Sequence, residues 1–438
     1  MYFLYSALLV AFLIVSLPYW LIQMLRHGKY REGLSQRLGQ VPSHLLSQSK
    51  APTIWIHAVS VGEVLAVTGV VHELRQRLPD HRIVVSTTTS TGQKLARARF
   101  GEQSVFYFPL DFSFAIRPYL NALKPELVIL AETEFWPNLL RLVKSGGASV
   151  AVINARISDR SLPGYRRVRR WLSRVLENVD LFLAQTEEDR RRLIEIGAAP
   201  DRVRISGNLK FDVEPPATPA VVESLRQSFR ESAAGPILVC GSTLETEEAL
   251  LLSAFRNVLA SHPKAVMILA PRHPERFPQV AALLESVGMR FWRRSLWSGE
   301  PIIGGVLLVD SIGELSALYQ LGTLAFVGGS LVQRGGHNII EPAWYGVPVI
   351  IGNHYENFRD IVGLFQRHNA VRVVGPAEVP LVFMELISDE AERAAIGRRG
   401  TEALESQRGA TDRTVNALLE LQQKREHSDH ALAMTRNP

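Results

Sequence analysis

Short apolar runs, each followed by a polar stretch compatible with a helix, recur through most of the chain and limit what it can fold into. A first set covers residues 54–57, 83–86, 127–130, 150–153 and 181–183; a second covers 237–240, 266–269, 306–309, 324–327 and 347–350. Runs this short, apolar at successive positions, are the mark of strands buried on both faces, in a parallel sheet covered by helices. Between the sets, residues 211–219 carry Pro215, Pro216 and Pro219 and disfavour regular structure. The expectation is an α/β chain of two Rossmann-like domains, with ligands at the carboxyl ends of the strands in a cleft between them. The layout predicted is residues 26–212, a linker at 213–223, and a second domain at 224–425. Residues 389–425 read as helix and the polar residues 426–438 as a disordered tail. A chain of 438 residues is long enough for two such cores.

Ahead of the first domain, residues 1–25 contain no charged side chain. One membrane-spanning helix needs about 20 apolar residues. Tyr2, Phe3, Tyr5, Tyr19 and Trp20 stand near the ends of this run, and Arg26, His27, Lys29, Arg31 and Arg37 follow it. Aromatic residues sit at membrane interfaces and positive flanks stay cytoplasmic, so the run predicts an uncleaved anchor in the inner membrane, with the rest of the chain inside. A cleaved signal peptide fits less well, because no Lys or Arg precedes the run. Pro18 kinks or ends the helix. The net charge of +6 favours anionic partners such as a phospholipid surface, a phosphorylated lipid, a nucleotide or nucleic acid. Cys240 is the only cysteine, which excludes an intrachain disulfide and a cysteine metal cluster.

Chemistry concentrates at the strand ends. After residues 324–327 come Gly328, Gly329 and Ser330, then Gly335, Gly336, His337, Asn338 and Glu341. A glycine-rich turn opening a helix near Asn338 suits a phosphate, with Glu341 accepting from a ribose diol. The same spacing also makes Asn338 and Glu341 an ordinary capping pair. Ser60, Gly62 and Glu63 follow the first strand. Glu63 in a first helical turn is either a ready general base, kept ionised by the helix N-terminus, or only a complement to the helix dipole. Glu132 ends the strand at 127–130, Glu134 is placed to cap the next helix, and Trp136 to pack. The hydroxyl-rich residues 86–92 fit a strand end and a helix cap.

Other candidates are single side chains or charge runs. Lys210 leads into the linker. Arg272, with His273, lies between prolines after residues 266–269, and an arginine fork suits phosphate. Gly313 and Glu314 open another helix, either as a phosphate site or as a plain helix start. Arg166, Arg167, Arg169 and Arg170 form a basic cluster that is either a solvated face or a dock for anionic lipid. No His-Glu-x-x-His, paired cysteine, Asp-x-Asp or Walker loop is present, so neither a metal nor a cofactor is expected.

Taken together, Ser60–Glu63, the stretch from Gly207 to Asp212, Pro271-Arg272-His273, and Gly-Gly-Ser with Gly-Gly-His-Asn and Glu341-Pro342 resemble the 3-deoxy-D-manno-octulosonic acid (Kdo) transferases of lipopolysaccharide synthesis, enzymes of GT-B architecture. The resemblance extends from Lys29-Tyr30 to residues 352–358, where Gly352-Asn353-His354 replaces the family's usual Gly-Pro-His. It implies transfer of Kdo from CMP-Kdo to a lipid A precursor by inversion. Glu63 would be the base and Glu132 would shape the acceptor site near Ser60. Lys210 would lie on the donor's anionic groups, and Arg272, Gly313, Glu314, Gly329, Asn338 and Glu341 on the nucleotide sugar. Nucleic acid is not an expected partner. The rival readings are a GT-B enzyme using another nucleotide sugar, and a tethered protein that only binds anionic lipid.

Overall fold

The computed structural model describes residues 2–27, 32–46 and 51–436, without the side chains of Tyr19, Leu21, residues 23–27, Glu426 and residues 428–436. Lys29 and Arg31, expected in the basic flank, and Tyr30, the start of the family resemblance with Lys29, lie outside the described residues. The chain forms two α/β units, the second covering Glu214–Gln407 and the first everything before it together with the chain from Arg408 onward.

The first unit holds a seven-stranded parallel sheet. Its strands are β1 (Thr53–His57), β2 (Arg82–Thr87), β3 (Val105–Tyr107), β4 (Pro125–Ala131), β5 (Ser149–Ala155), β6 (Leu181–Ala184) and β7 (Val203–Ile205). They run in the order β3-β2-β1-β4-β5-β6-β7. Alternate residues feed two cores. Trp55, Val128 and Val152 pack under the helices Ser113–Leu123 and Pro137–Ser145, while Ile54, Ile129 and Ile153 pack under Val61–Arg77. This two-faced burial is why the strands read as continuous apolar runs.

The second unit repeats the scheme with β8 (Ile237–Thr243), β9 (Val266–Pro271), β10 (Phe291–Arg293), β11 (Gly305–Leu308), β12 (Leu324–Val327), β13 (Val349–Gly352) and β14 (Val371–Val374). Their order is β10-β11-β9-β8-β12-β13-β14, again all parallel. In each sheet the order reverses beside the unit's first strand, at β1/β4 and at β8/β12. Ligands of open α/β sheets gather at the carboxyl ends on either side of such a reversal.

Two expectations about the C-terminus change. Residues 408–425 belong to the first unit, because Ala410, Val415 and Leu418 of the helix Ala410–Arg436 complete one face of its sheet. Asp212 fixes the return by accepting from the backbone N–H of Gly409 at 2.8 Å and of Thr411 at 2.5 Å. That helix runs on to Arg436, where an irregular tail was expected.

The N-terminal run is helical from Tyr2 to His27. Its start is tied to the first unit: Asn138 Nδ2 donates to Ser6 Oγ at 3.0 Å, and the rings of Tyr5 and Trp171 lie 6.0 Å apart. Phe3, Leu4, Leu8, Phe12, Ile14 and Val15 are exposed. Among the described residues no helix is long and apolar enough to cross a membrane.

Candidate active site

In the first unit the site grows from the loops after β1 and β4, which pair side by side with His57 opposite Leu130. The chain leaves β1 at His57 and enters the helix Val61–Arg77 through Ser60, its N-cap. Glu63 turns back over this start. Its Oε2 accepts from the Val59 N–H at 2.7 Å and its Oε1 from the Ser60 hydroxyl at 2.9 Å. The Ser60 hydroxyl therefore serves the carboxylate and caps no helix N–H.

Glu63 is 7% exposed, and this burial overrides the helix dipole. Desolvation first, and the charge of Glu132 second, push its pKa up to about 7, against the Val59 N–H, Ser60 and Lys210. The expectation of a carboxylate held ionised by the helix N-terminus is thus corrected to one that titrates near neutrality. A base does its best work when its pKa lies near the working pH.

Glu132 sits where β4 ends, at φ +58°, in the left-handed region that non-glycine residues rarely occupy. Its N–H still bonds Ile153 O at 2.9 Å, so the chain turns without losing the sheet. Its Oε1 accepts from Lys210 Nζ at 3.0 Å. Lys210, expected against the donor, is thus paired within the first unit. It stands in the 3-10 turn Leu209–Asp212, fixed by Asn208 Oδ1 on the Lys210 N–H at 3.0 Å and by Asn154 Oδ1 on the Leu209 N–H at 3.0 Å.

Glu134 does not cap the next helix. That helix begins at Pro137, and Asp111 caps it instead, accepting from the N–H of Asn138 at 3.0 Å and of Leu139 at 2.8 Å. Burial, then the charges of Glu63 and Glu132, push the Glu134 pKa up to about 8. Trp136 packs against the core, as its chemistry suggested. Three carboxyl groups thus influence one another here beside one lysine.

The hydroxyl-rich stretch proves mainly structural. Ser86 Oγ accepts from Trp55 Nε1 at 2.7 Å, and Thr89 caps the helix Ser90–Phe100 through the Gly92 N–H at 3.0 Å. The basic cluster lies on the helices Leu162–Arg167 and Arg169–Leu176. Arg166 pairs with the Glu195 carboxylate and Arg169 Nε donates to the Glu195 carbonyl at 2.7 Å. Arg167 and Arg170 are exposed and have no ion pair among the described residues.

In the second unit the loops after β8 and β12 meet, with Gly241 opposite Val327. The first half of the glycine-rich turn, Gly329 to Leu331, does not hold its N–H groups ready for a phosphate. Glu247, fully buried, takes them: its Oε2 accepts from Gly329 N–H at 2.7 Å and its Oε1 from Ser330 at 3.0 Å and Leu331 at 2.9 Å. The Leu244 N–H adds a fourth bond to Oε2 at 2.8 Å. Gly329 is required for another reason. Its φ is +69°, and a Cβ there would stand 2.8 Å from the His337 ring.

The helix expected from Asn338 is a single turn, Ile340–Ala343, too short for a useful dipole. Asn338 and Glu341 meet, but not as the expected capping box: the N-cap of this turn is Ile339, and no side chain caps it. Asn338 Oδ1 accepts from Ile340 N–H at 3.2 Å, and Nδ2 lies 3.4 Å from Glu341 Oε1. Burial raises the Glu341 pKa, opposed by Asn338 and by Arg272. His337 is held neutral, down to about 4, by burial and by the charges of Arg272 and His273.

Arg272 is exposed, and its side chain has no hydrogen-bond or ion-pair partner among the described residues. Its backbone N–H is tied to Thr243 O at 2.9 Å, which fixes the loop that carries it. This gives a cation, Arg272, in the loop after β9, and a neutral imidazole, His337, and a polar carboxyl group, Glu341, in the chain after β12. Gly313 is at φ +91°, with open space where a Cβ would stand. Glu314 instead is engaged by Arg294 at 2.7 Å and by the Ser311 hydroxyl, ahead of another single turn, Leu315–Leu318.

Residues 32–213 match the family model described as 3-deoxy-D-manno-octulosonic-acid transferase. The chain is 34% identical to the 3-deoxy-D-manno-octulosonic acid transferase of Haemophilus influenzae, over 95% of this chain and 97% of that one. It is 33% identical to that of Bordetella pertussis, over 89% and 92%. Among solved structures, UDP-GlcNAc 2-epimerase from Neisseria meningitidis superposes with a TM-score of 0.57 at 14% identity, over 84% of this chain and 100% of that one. A glycosyltransferase from Rickettsia africae gives 0.55 at 12%, over 86% and 99%. Both share the fold of two parallel-sheet α/β domains.

Proposed function

Because the chain belongs to the Kdo transferase family and is a glycosyltransferase, we propose that it moves Kdo from CMP-Kdo to a hydroxyl of the lipid A precursor (lipid IVA). The observation that carries the mechanism is Glu63, a buried carboxylate brought near neutrality at the carboxyl end of β1, beside the Glu132–Lys210 pair.

Glu63 takes the proton of the acceptor hydroxyl. The hydroxyl oxygen then forms a bond to the anomeric carbon of Kdo, and the bond from that carbon to the phosphate oxygen breaks with its electron pair going to CMP. A single displacement of this kind inverts the anomeric centre. Lys210 and Glu132 set the proton affinity of Glu63. On the second unit, the exposed Arg272 guanidinium neutralises the cytidylate phosphate, and Glu341 with Asn338 supplies hydrogen bonds to the nucleotide sugar.

The exposed apolar residues of the helix Tyr2–His27 support attachment to the cytoplasmic face of the inner membrane, and Arg167 and Arg170 support contact with anionic headgroups. A donor-selectivity assay tests the activity. Transfer from CMP-Kdo and none from a UDP-sugar fits this reading. Transfer from a UDP-sugar alone overturns it.

A further inference from the structure

The first unit contains a second polar site that the reaction as described leaves unused. A cavity of about 290 Å³ is lined by Glu32, Gln36, Gln93, Lys94, Arg97 and Tyr107. Its floor is built. Gly33 is at φ +72°, and a Cβ there would fall 2.0 Å from the Tyr107 ring, so glycine lets the ring lie against the backbone. Gln36 Oε1 accepts the Tyr107 N–H at 2.8 Å, and the Arg37 guanidinium lies 4.8 Å over the same ring.

Gln93 is 1% exposed. Its Oε1 accepts from the Thr87 hydroxyl at 2.5 Å, and its Nε2 has no partner among the described residues. A buried amide donor without an acceptor is costly, and a bound acceptor removes that cost. The lining carries the cations Lys94 and Arg97 against one carboxylate, Glu32, which accepts from the Tyr107 hydroxyl at 3.1 Å. The surplus is positive, and the donors suit a compact, multiply charged anion.

The cavity also lies close to Glu63. Gly92 of the helix Ser90–Phe100 packs so tightly on the catalytic loop that an added Cβ would stand 3.3 Å from Ser60 C and Val59 O. Gln93 to Arg97 follow within roughly 10 Å of helix, at 1.5 Å per residue. We propose that this pocket takes a phosphate monoester of the acceptor lipid and so sets which hydroxyl meets Glu63. The proposal rests on the function given above.

The test uses the detergent-solubilised full chain, the double variant Lys94→Gln/Arg97→Gln, and Arg99→Gln as a charge control on the same helix outside the pocket. With a phosphorylated acceptor, the double variant should raise the acceptor KM about tenfold or more. Its kcat and donor KM should hold within about threefold, and Arg99→Gln should resemble wild type. With the enzymatically dephosphorylated acceptor, the wild-type KM should rise to the double-variant value, with no further loss on mutation. An unchanged KM, or an equal loss on both acceptors, overturns the proposal.

Titration of inorganic phosphate, followed by its ³¹P linewidth, is read independently of transfer. Phosphate binding lost in the double variant, in a chain that transfers no Kdo, upholds an anion pocket while the proposed function falls. Phosphate that the phosphorylated acceptor does not displace assigns the pocket to free phosphate and overturns the acceptor assignment.

Discussion

Lys210 Nζ stands 3.0 Å from Glu132 Oε1, and the two partners act on Glu63 with opposite signs: Glu132 raises its proton affinity and Lys210 lowers it. Glu63 must be deprotonated to act, so kcat/KM should rise with pH along a limb centred near 7. Glu132→Gln should move that limb to lower pH and Lys210→Met should move it higher. A rate profile from pH 5 to 9 checks both. Shifts in the same direction would show that the pair does not tune Glu63.

Glu134 makes a prediction about stability. Its carboxyl is raised from 4.5 to about 8, so the folded chain keeps a proton that the unfolded chain releases between those values. The stabilisation is complete below 4.5 and is lost as pH rises through 8. Glu134→Gln should therefore lose less thermal stability than wild type between pH 5 and 9. Melting curves across that range test it, and parallel curves would contradict the burial argument.

Glu247 accepts four backbone N–H groups in the second unit. Glu247→Gln removes the charge and turns an amide NH₂ toward donors. It should destabilise the chain by roughly 2–4 kcal/mol in urea unfolding and raise the donor KM. Glu245→Gln, an exposed change two residues earlier, should stay within about 0.5 kcal/mol of wild type.

Asp212 holds the returning C-terminal helix. Asp212→Ala leaves the N–H groups of Gly409 and Thr411 without their carboxylate and should cost roughly 1–2 kcal/mol, as lost helix caps do. Limited trypsin digestion should then cut first at Arg408 or Arg413. Cleavage unchanged from wild type would mean that the apolar contacts of Ala410, Val415 and Leu418 alone hold the helix.

Where each unit's main strands lie was legible because burial on both faces leaves continuous apolar runs, while β3, β7 and β10, three residues each, give too little pattern. The glycine-rich turn was located correctly in sequence, but its occupant was not. The carboxylate that fills it, Glu247, is 82 positions away from Gly329. The C-terminal helix was assigned to the wrong unit for the same reason: Asp212 and Gly409 lie 197 positions apart. Local spacing carries no information about such partners. Glu63 was legible as a residue, but its proton affinity depends on burial, which the motif does not encode. Asn154 and Asp111 carried no local signal at all.

The most direct measurement is the mass of the lipid product after the detergent-purified chain is incubated with CMP-Kdo and a tetraacylated lipid A precursor, with Glu63→Gln run alongside. The account predicts a gain in whole Kdo units for wild type and a rate lower by about 10²–10⁴ in the variant, the usual contribution of a general base. A folded wild-type chain that adds no mass would contradict the transfer reaction, and a variant that transfers at the wild-type rate would contradict Glu63 as its base.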